Sequence, residues 1–199
     1  MRIRLALACV AMVLCGLTAI IRGEDKPAAG EPPAAPAAAA KSGVTVGEMR
    51  IQDVPAMTFL YLPAETTFAK MGEPVMQGFD KIFGSAVEAK LLIARPTMLI
   101  YQGAPHYDPQ KSFKLEFGII VADDTQAIGD CKVRKTEAFH CATILYTGPV
   151  DQQGQAYQKL IPALKAAGHT PTGEEREMCL YWEGLESANN VFIMMIGIK

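Results

Sequence analysis

One glutamate and its aromatic neighbours are the side chains best suited to chemistry. In the run Glu177-Met-Cys-Leu-Tyr-Trp182, Glu177 and Tyr181 share a face if the segment is extended, because alternate residues of a strand point the same way. The run Thr97-Met-Leu-Ile-Tyr101 adds Tyr101, and Phe113–Val121 adds Glu116. A carboxylate beside aromatic rings attracts an organic cation by its charge and by the ring quadrupole. The same carboxyl, its pKa raised beside a tyrosine hydroxyl, can serve as a general base toward water. The candidate ligand-binding residues are therefore Glu177, Tyr181, Tyr101, Glu116 and Trp182. The plainer role for Glu177 is a solvated strand charge paired with Arg176 or Lys132, and Tyr101 and Tyr181 also suit a half-buried core position.

Other chemistries find no support. His106, His140 and His169 are scattered singly, and there is no CxxC, so neither a zinc site nor any other metal or cofactor is expected. No Ser-His-Asp or Cys-His arrangement has suitable spacing, which argues against covalent catalysis.

The elements that must carry these residues repeat. Gly47-Glu-Met-Arg-Ile-Gln aligns with Gly129-Asp-Cys-Lys-Val-Arg, Met98-Leu-Ile-Tyr with Met178-Cys-Leu-Tyr, and Phe113-Lys-Leu-Glu-Phe-Gly with Phe192-Ile-Met-Met-Ile-Gly. The offsets are 82, 80 and 79 residues in the same order, which indicates a duplicated module, about 47–123 and 129–199. Each module opens with short strands, Met49–Asp53 and Ala56–Leu62 in the first, Lys132–Arg134 and Phe139–Tyr146 in the second. A helix follows, Glu73–Lys90 or Gln152–Ala167, the latter with Pro162 inside it as an expected kink. Two strands close each module, Thr97–Gln102 with Phe113–Val121, and Glu177–Trp182 with Asn190–Ile198. The expected fold is α+β: a tandem strand-helix-strand-strand duplication, antiparallel sheets with helices on one face, and a central groove for a ligand.

Alternation assigns faces within this scheme. A charge should avoid the helix-packed core, which sends Glu177 and Tyr181 to a groove face with Thr97, Leu99, Tyr101 and Glu116. Phe113, Leu115, Phe117 and Ile119 then pack on the helix, and Trp182 lies under a helix or at its edge. Glu174-Glu175-Arg176 is expected to be a solvated loop.

The chain has 199 residues, half of them hydrophobic. Residues 1–23 hold Arg2, Arg4 and Arg22 and no acid, leaving 16 basic against 21 acidic side chains, a net of −5. An acidic domain is a poor partner for nucleic acid. The basic start and the 17-residue apolar run Leu5–Ile21 read as an export signal ending near Gly23, or, uncleaved, as an anchor and the one expected membrane contact. Residues 24–43 are an Ala/Pro-rich linker and 44–199 the folded domain. Cys131, Cys141 and Cys179 leave at least one thiol unpaired within an exported chain.

Leu145-Tyr146-Thr147-Gly148-Pro149, then Tyr157, Leu160, Leu164 and Gly168, then Arg176-Glu177-Met178-Cys179-Leu180-Tyr181, resemble the gyrase-inhibitor-like (GyrI-like) small-molecule-binding domain. Phe113-Lys-Leu-Glu-Phe-Gly-Ile-Ile resembles that family's strand with an acid two places before Gly, and Met49–Leu62 its opening strand. The resemblance spans about 47–199. It implies a ligand groove between two modules, with Glu177 at the position of an acid that meets cationic aromatic ligands. It also implies a second possibility, since some stand-alone relatives resemble hydrolases of small electrophilic molecules. Two departures stand out: an export signal where regulators of the family carry a helix-turn-helix, and Cys179 with Trp182-Glu183-Gly184 where many relatives have a Tyr and an Asp-Pro turn. Three functions follow: a binder of an apolar or cationic aromatic molecule, a hydrolase using Glu177 or Glu116 as base, or a surface-tethered interaction module.

Overall fold

The computed structural model describes residues 43–93, 96–105 and 108–199. The expected signal, all of the linker but its last residue, and His106 lie outside these. The chain runs β1 (Thr45–Val46), β2 (Arg50–Val54), β3 (Thr58–Thr66), α1 (Gly72–Glu88), β4 (Thr97–Gln102), β5 (Phe113–Val121), β6 (Lys132–Lys135), β7 (Phe139–Thr147), a 3-10 turn (Val150–Gln152), α2 (Gly154–Ala166), β8 (Pro171–Tyr181) and β9 (Val191–Ile198). After its short opening strands, each half therefore supplies strand, helix, strand and strand in the same order.

All nine strands join one antiparallel sheet in the order β1-β7-β9-β8-β4-β5-β3-β6, with β2 also on β7. The two halves meet where β4 pairs with β8, Leu99 opposite Glu177 and Tyr101 opposite Glu175. Pro55 interrupts the run from β2 to β3, as a residue without a backbone donor should.

Both helices lie on one face. Val75, Gly78, Ile82 and Ala86 form the buried stripe of α1 and pack with Leu60, Leu115 and Phe117. Gly78 is needed for this approach, because a Cβ there would stand 2.2 Å from the Phe117 ring. Ala156, Leu160 and Leu164 do the same for α2 against Ile144, Tyr146 and Met194. The helix continues through Pro162 to Ala166. Because α1 rests on β3 and β5 and α2 on β7 and β1, the central pair β4 and β8 is left between them.

The opposite face is also apolar. Phe59, Met98, Ile100, Cys141 and Met195 are at most 1% exposed with no helix over them. The sheet covers this face by curling. β2 lies outside β7, six strand spacings from β3, about 29 Å in a flat sheet at ~4.8 Å each. Val54 and Thr58 are joined by a link that spans at most about 14 Å. The ends of the sheet must therefore approach each other, and Met178 packs against the clusters from both halves.

β8 starts well before the expected Glu177. The run Glu174-Glu175-Arg176, expected as a loop, is strand, paired with β4 and β9, and Glu175 and Arg176 are buried. The strand tolerates the charges because Arg176 bonds Glu174 Oε1 through Nε at 2.7 Å and the Glu137 carbonyl through Nη2 at 3.1 Å, with its guanidinium 4.0 Å over the Phe139 ring.

Candidate functional site

Register decides which candidates meet. Leu99 faces Phe117 and Tyr101 faces Leu115 across β4 and β5, and in an antiparallel pair opposed residues share a face. Tyr101 and Leu99 thus belong to the helix side with Leu115 and Phe117, not to a face opposite them. Leu99 also opposes Glu177, so Glu177 lies on the helix side too. The expectation that a charge avoids that side fails because the helices rest chiefly on β3 and β5 and on β7 and β1; Glu177, on β8, occupies the seam between them.

Glu177 is 6% exposed. Its Oε2 accepts a hydrogen bond from the Tyr101 hydroxyl at 3.3 Å, and its Oε1 accepts one from Gln153 Nε2 at 3.0 Å. Gln153 immediately precedes α2, and Tyr157 follows one turn later on the same helix face. Phe68 packs near Tyr101, with ring centroids 6.1 Å apart. Buried Glu175, opposite Tyr101, is a second acid on the same face. Among the described residues, none gives Glu177 a cationic partner, so it pairs with neither Arg176 nor Lys132.

This environment favours the neutral acid. Burial pushes the Glu177 carboxyl up to about 7; the donors Gln153 and Tyr101 oppose the rise and Glu175 adds to it. Burial also holds the Tyr101 and Tyr157 hydroxyls well above the usual phenol range, and the charge of Glu177 reinforces this in both. Cys179, two residues along the strand, is pushed up to about 11 by burial and then by Glu177, which leaves it a thiol.

The other candidates stand apart. Glu116 lies on the far face, opposite Ile100, and makes an ion pair with Arg134 at 2.5 Å. Its placement beside Tyr101 is therefore corrected: neighbours along β5 alternate, and Leu115 takes the helix side. Tyr181 follows a register irregularity after Cys179, is 51% exposed, and its hydroxyl donates to Glu183 at 2.8 Å. Trp182 is 40% exposed and meets Phe192 edge-on at 6.3 Å. Phe192 belongs to the α2 side, so Trp182 stands at the edge of that helix's core. Cavities of about 370 Å³ beside Ser85 and Cys131 and about 410 Å³ beside Phe139 and Arg176 do not reach Glu177. Among the described residues no group of side chains is arranged to hold a metal ion.

Gln153, Tyr157 and Glu175 were not singled out as site residues by sequence. Tyr157 shows only as one of the helix residues that carry the family resemblance, and Glu175 is hidden by its charged neighbours. The signal for Gln153 is faint: a polar residue one turn before an inward tyrosine.

Residues 47–191 match the model of the GyrI-like small molecule binding domain. Among solved structures, the C-terminal domain of EcmrR is 17% identical, with a TM-score of 0.60, over 77% of this chain and 98% of that one. EcmrR in a complex with DNA is 16% identical, with a TM-score of 0.64, over 76% of this chain and 57% of that one. A hydrolase from Listeria innocua is 9% identical, with a TM-score of 0.51, over 76% of this chain and 92% of that one. No curated protein matches.

Proposed function

Because this chain belongs to the GyrI-like small molecule binding domain family, we propose that it is an exported receptor for a cationic aromatic molecule, held at Glu177 between the two helices. The observation that carries this reading is a buried carboxyl with neutral donors on both oxygens and the aromatic residues Tyr101 and Tyr157 beside it. Such a group is under-compensated until a cation arrives. The ligand charge meets the carboxylate, and the rings supply quadrupole attraction and apolar contact. The acidic balance of the chain favours a cation over nucleic acid as partner. Calorimetric titration with a panel of aromatic cations tests this: binding should weaken by on the order of 1–3 kcal/mol in Glu177→Gln. Equal binding by both proteins would remove Glu177 from the role.

Export rests on the basic start and the apolar run Leu5–Ile21. The mature chain should begin near Glu24. Finding the intact chain from Met1 in the cytosolic fraction overturns this.

Hydrolysis is a second reading favoured by one observation. A carboxyl pushed up to about 7 within reach of a tyrosine hydroxyl is suited to proton transfer near neutral pH. A turnover screen with small electrophiles separates enzyme from receptor, since only an enzyme consumes the compound in a Glu177-dependent way.

A further inference from the structure

Gln153 occupies the place that a ligand's own hydrogen-bond donor would take. Its amide is 3.0 Å from Glu177 Oε1, while Tyr101 holds Oε2 at 3.3 Å. The helix does not require this amide, because the Gln153 side chain makes no capping hydrogen bond to α2. Gln153 is only partly buried, at the start of a helix and before Gly154, where a side chain can swing outward without disturbing the core. Tyr157 lies on the same helix face, so the group to be displaced and an aromatic wall come from one element.

Resting on the reading of Glu177 as the ligand acid, we propose that Gln153 is a built-in competitor for the site and that the ligand's cationic head carries an N–H, which displaces the Gln153 amide from Glu177 Oε1. Glu177 is buried, and a ligand seated where the Gln153 amide stood keeps water from Oε1, so an oxygen stripped of its donor there goes unpaired. A quaternary cation that pushes Gln153 aside gives Oε1 charge but no hydrogen bond. A protonated amine gives both, and a charge-assisted bond is stronger than the neutral amide bond it replaces. The geometry therefore selects among cations as well as for them, and Gln153 lowers the affinity of every cation that must evict it.

The test compares benzyldimethylammonium, which carries one N–H, with benzyltrimethylammonium, which carries none. Calorimetric titration of the full wild-type chain, Gln153→Ala and Glu177→Gln is done at pH 8, above the value of about 7 to which burial pushes Glu177, because the Gln153 bond itself holds that value down. Wild type is expected to prefer the N–H cation by about tenfold, the worth of one charge-assisted hydrogen bond. Gln153→Ala should bind it about five- to tenfold more tightly than wild type, through loss of the competing amide. The Gln153 side-chain amide resonance, assigned by its absence from the variant, should shift when the N–H cation is added. Glu177-dependent binding with no preference between the two cations, weaker binding by Gln153→Ala, or an unmoved amide resonance overturns this inference alone. Absence of binding to wild type, or equal binding by Glu177→Gln, overturns the Glu177 reading and this inference with it.

Discussion

Glu177 is held at a position where its charge opposes folding, and the sign can be measured. Its carboxyl rises from an ordinary 4.5 to about 7 on burial. Between those values the native state binds a proton that the unfolded state does not. The stability from this group is full below the unfolded value and is lost as pH rises through the folded one. Glu177→Gln should therefore match wild type near pH 4 and exceed it at pH 8 by on the order of 1–3 kcal/mol. Denaturant midpoints at the two pH values check this; equal midpoints at pH 8 would contradict the burial. The same proton should leave when a cation binds. Affinity then rises with pH up to about 7 and levels off, and calorimetry in buffers of different ionisation enthalpy should detect proton release below that point. At this scale the alternation of Glu177-Met-Cys-Leu-Tyr was legible, but not which face was which. Tyr101 shares a face with Leu115 only because β4 and β5 pair in that register, and pairing register between distant segments is not written in either segment alone.

The elements were more legible than the site. Thr97–Gln102 and Phe113–Val121 fall where their alternation and β-branched content place them, and both helices follow their apolar stripes to within about two residues. The early start of β8 was hidden because Glu174-Glu175-Arg176 has the composition of a loop. Arg176 is accepted into the sheet by partners remote in sequence, the Glu137 carbonyl and the Phe139 ring. Removing it by Arg176→Ala takes the cation from Glu174, which keeps only its bond from Gln102 Nε2 at 2.7 Å, and leaves a hole under Phe139, with an expected loss of about 2–4 kcal/mol by chemical denaturation. Gly118 makes a sharper demand on β5. A Cβ there would stand 2.0 Å from the Leu60 carbonyl oxygen and 2.8 Å from Tyr61 Cα, backbone atoms that cannot step aside cheaply. Gly118→Ala should destabilise by about 2–3 kcal/mol or more, through forced separation of β3 and β5. A melting temperature equal to that of wild type would show that the strands are looser than their register implies.

The whole molecule depends on a crossing that no local pattern announces. β2 belongs to the first half yet pairs with β7 of the second, and β6 belongs to the second yet pairs with β3 of the first. Two short links, Pro55–Met57 and Thr136–Ala138, carry the chain across. They are tied to each other: Thr136 N–H donates to the Met57 carbonyl at 2.8 Å, and Met57 N–H donates to Thr136 Oγ1 at 3.0 Å. The crossing holds the curl that buries Phe59, Met98 and Met195 without a helix over them. Thr136 is 2% exposed, so its hydroxyl has no solvent to replace it as acceptor. Thr136→Val keeps the shape and the backbone bond but leaves the Met57 N–H unpaired, which should lower stability by about 1–2 kcal/mol. Thr136→Ser keeps the acceptor and should recover most of that difference, separating the hydrogen bond from packing. Because the links lie on the far face from the seam, cation affinity at Glu177 should be the same in both variants wherever they are folded. A change in affinity of more than about twofold would instead mean that the curl sets the spacing of the two helices, and through them the distance from Gln153 to Glu177.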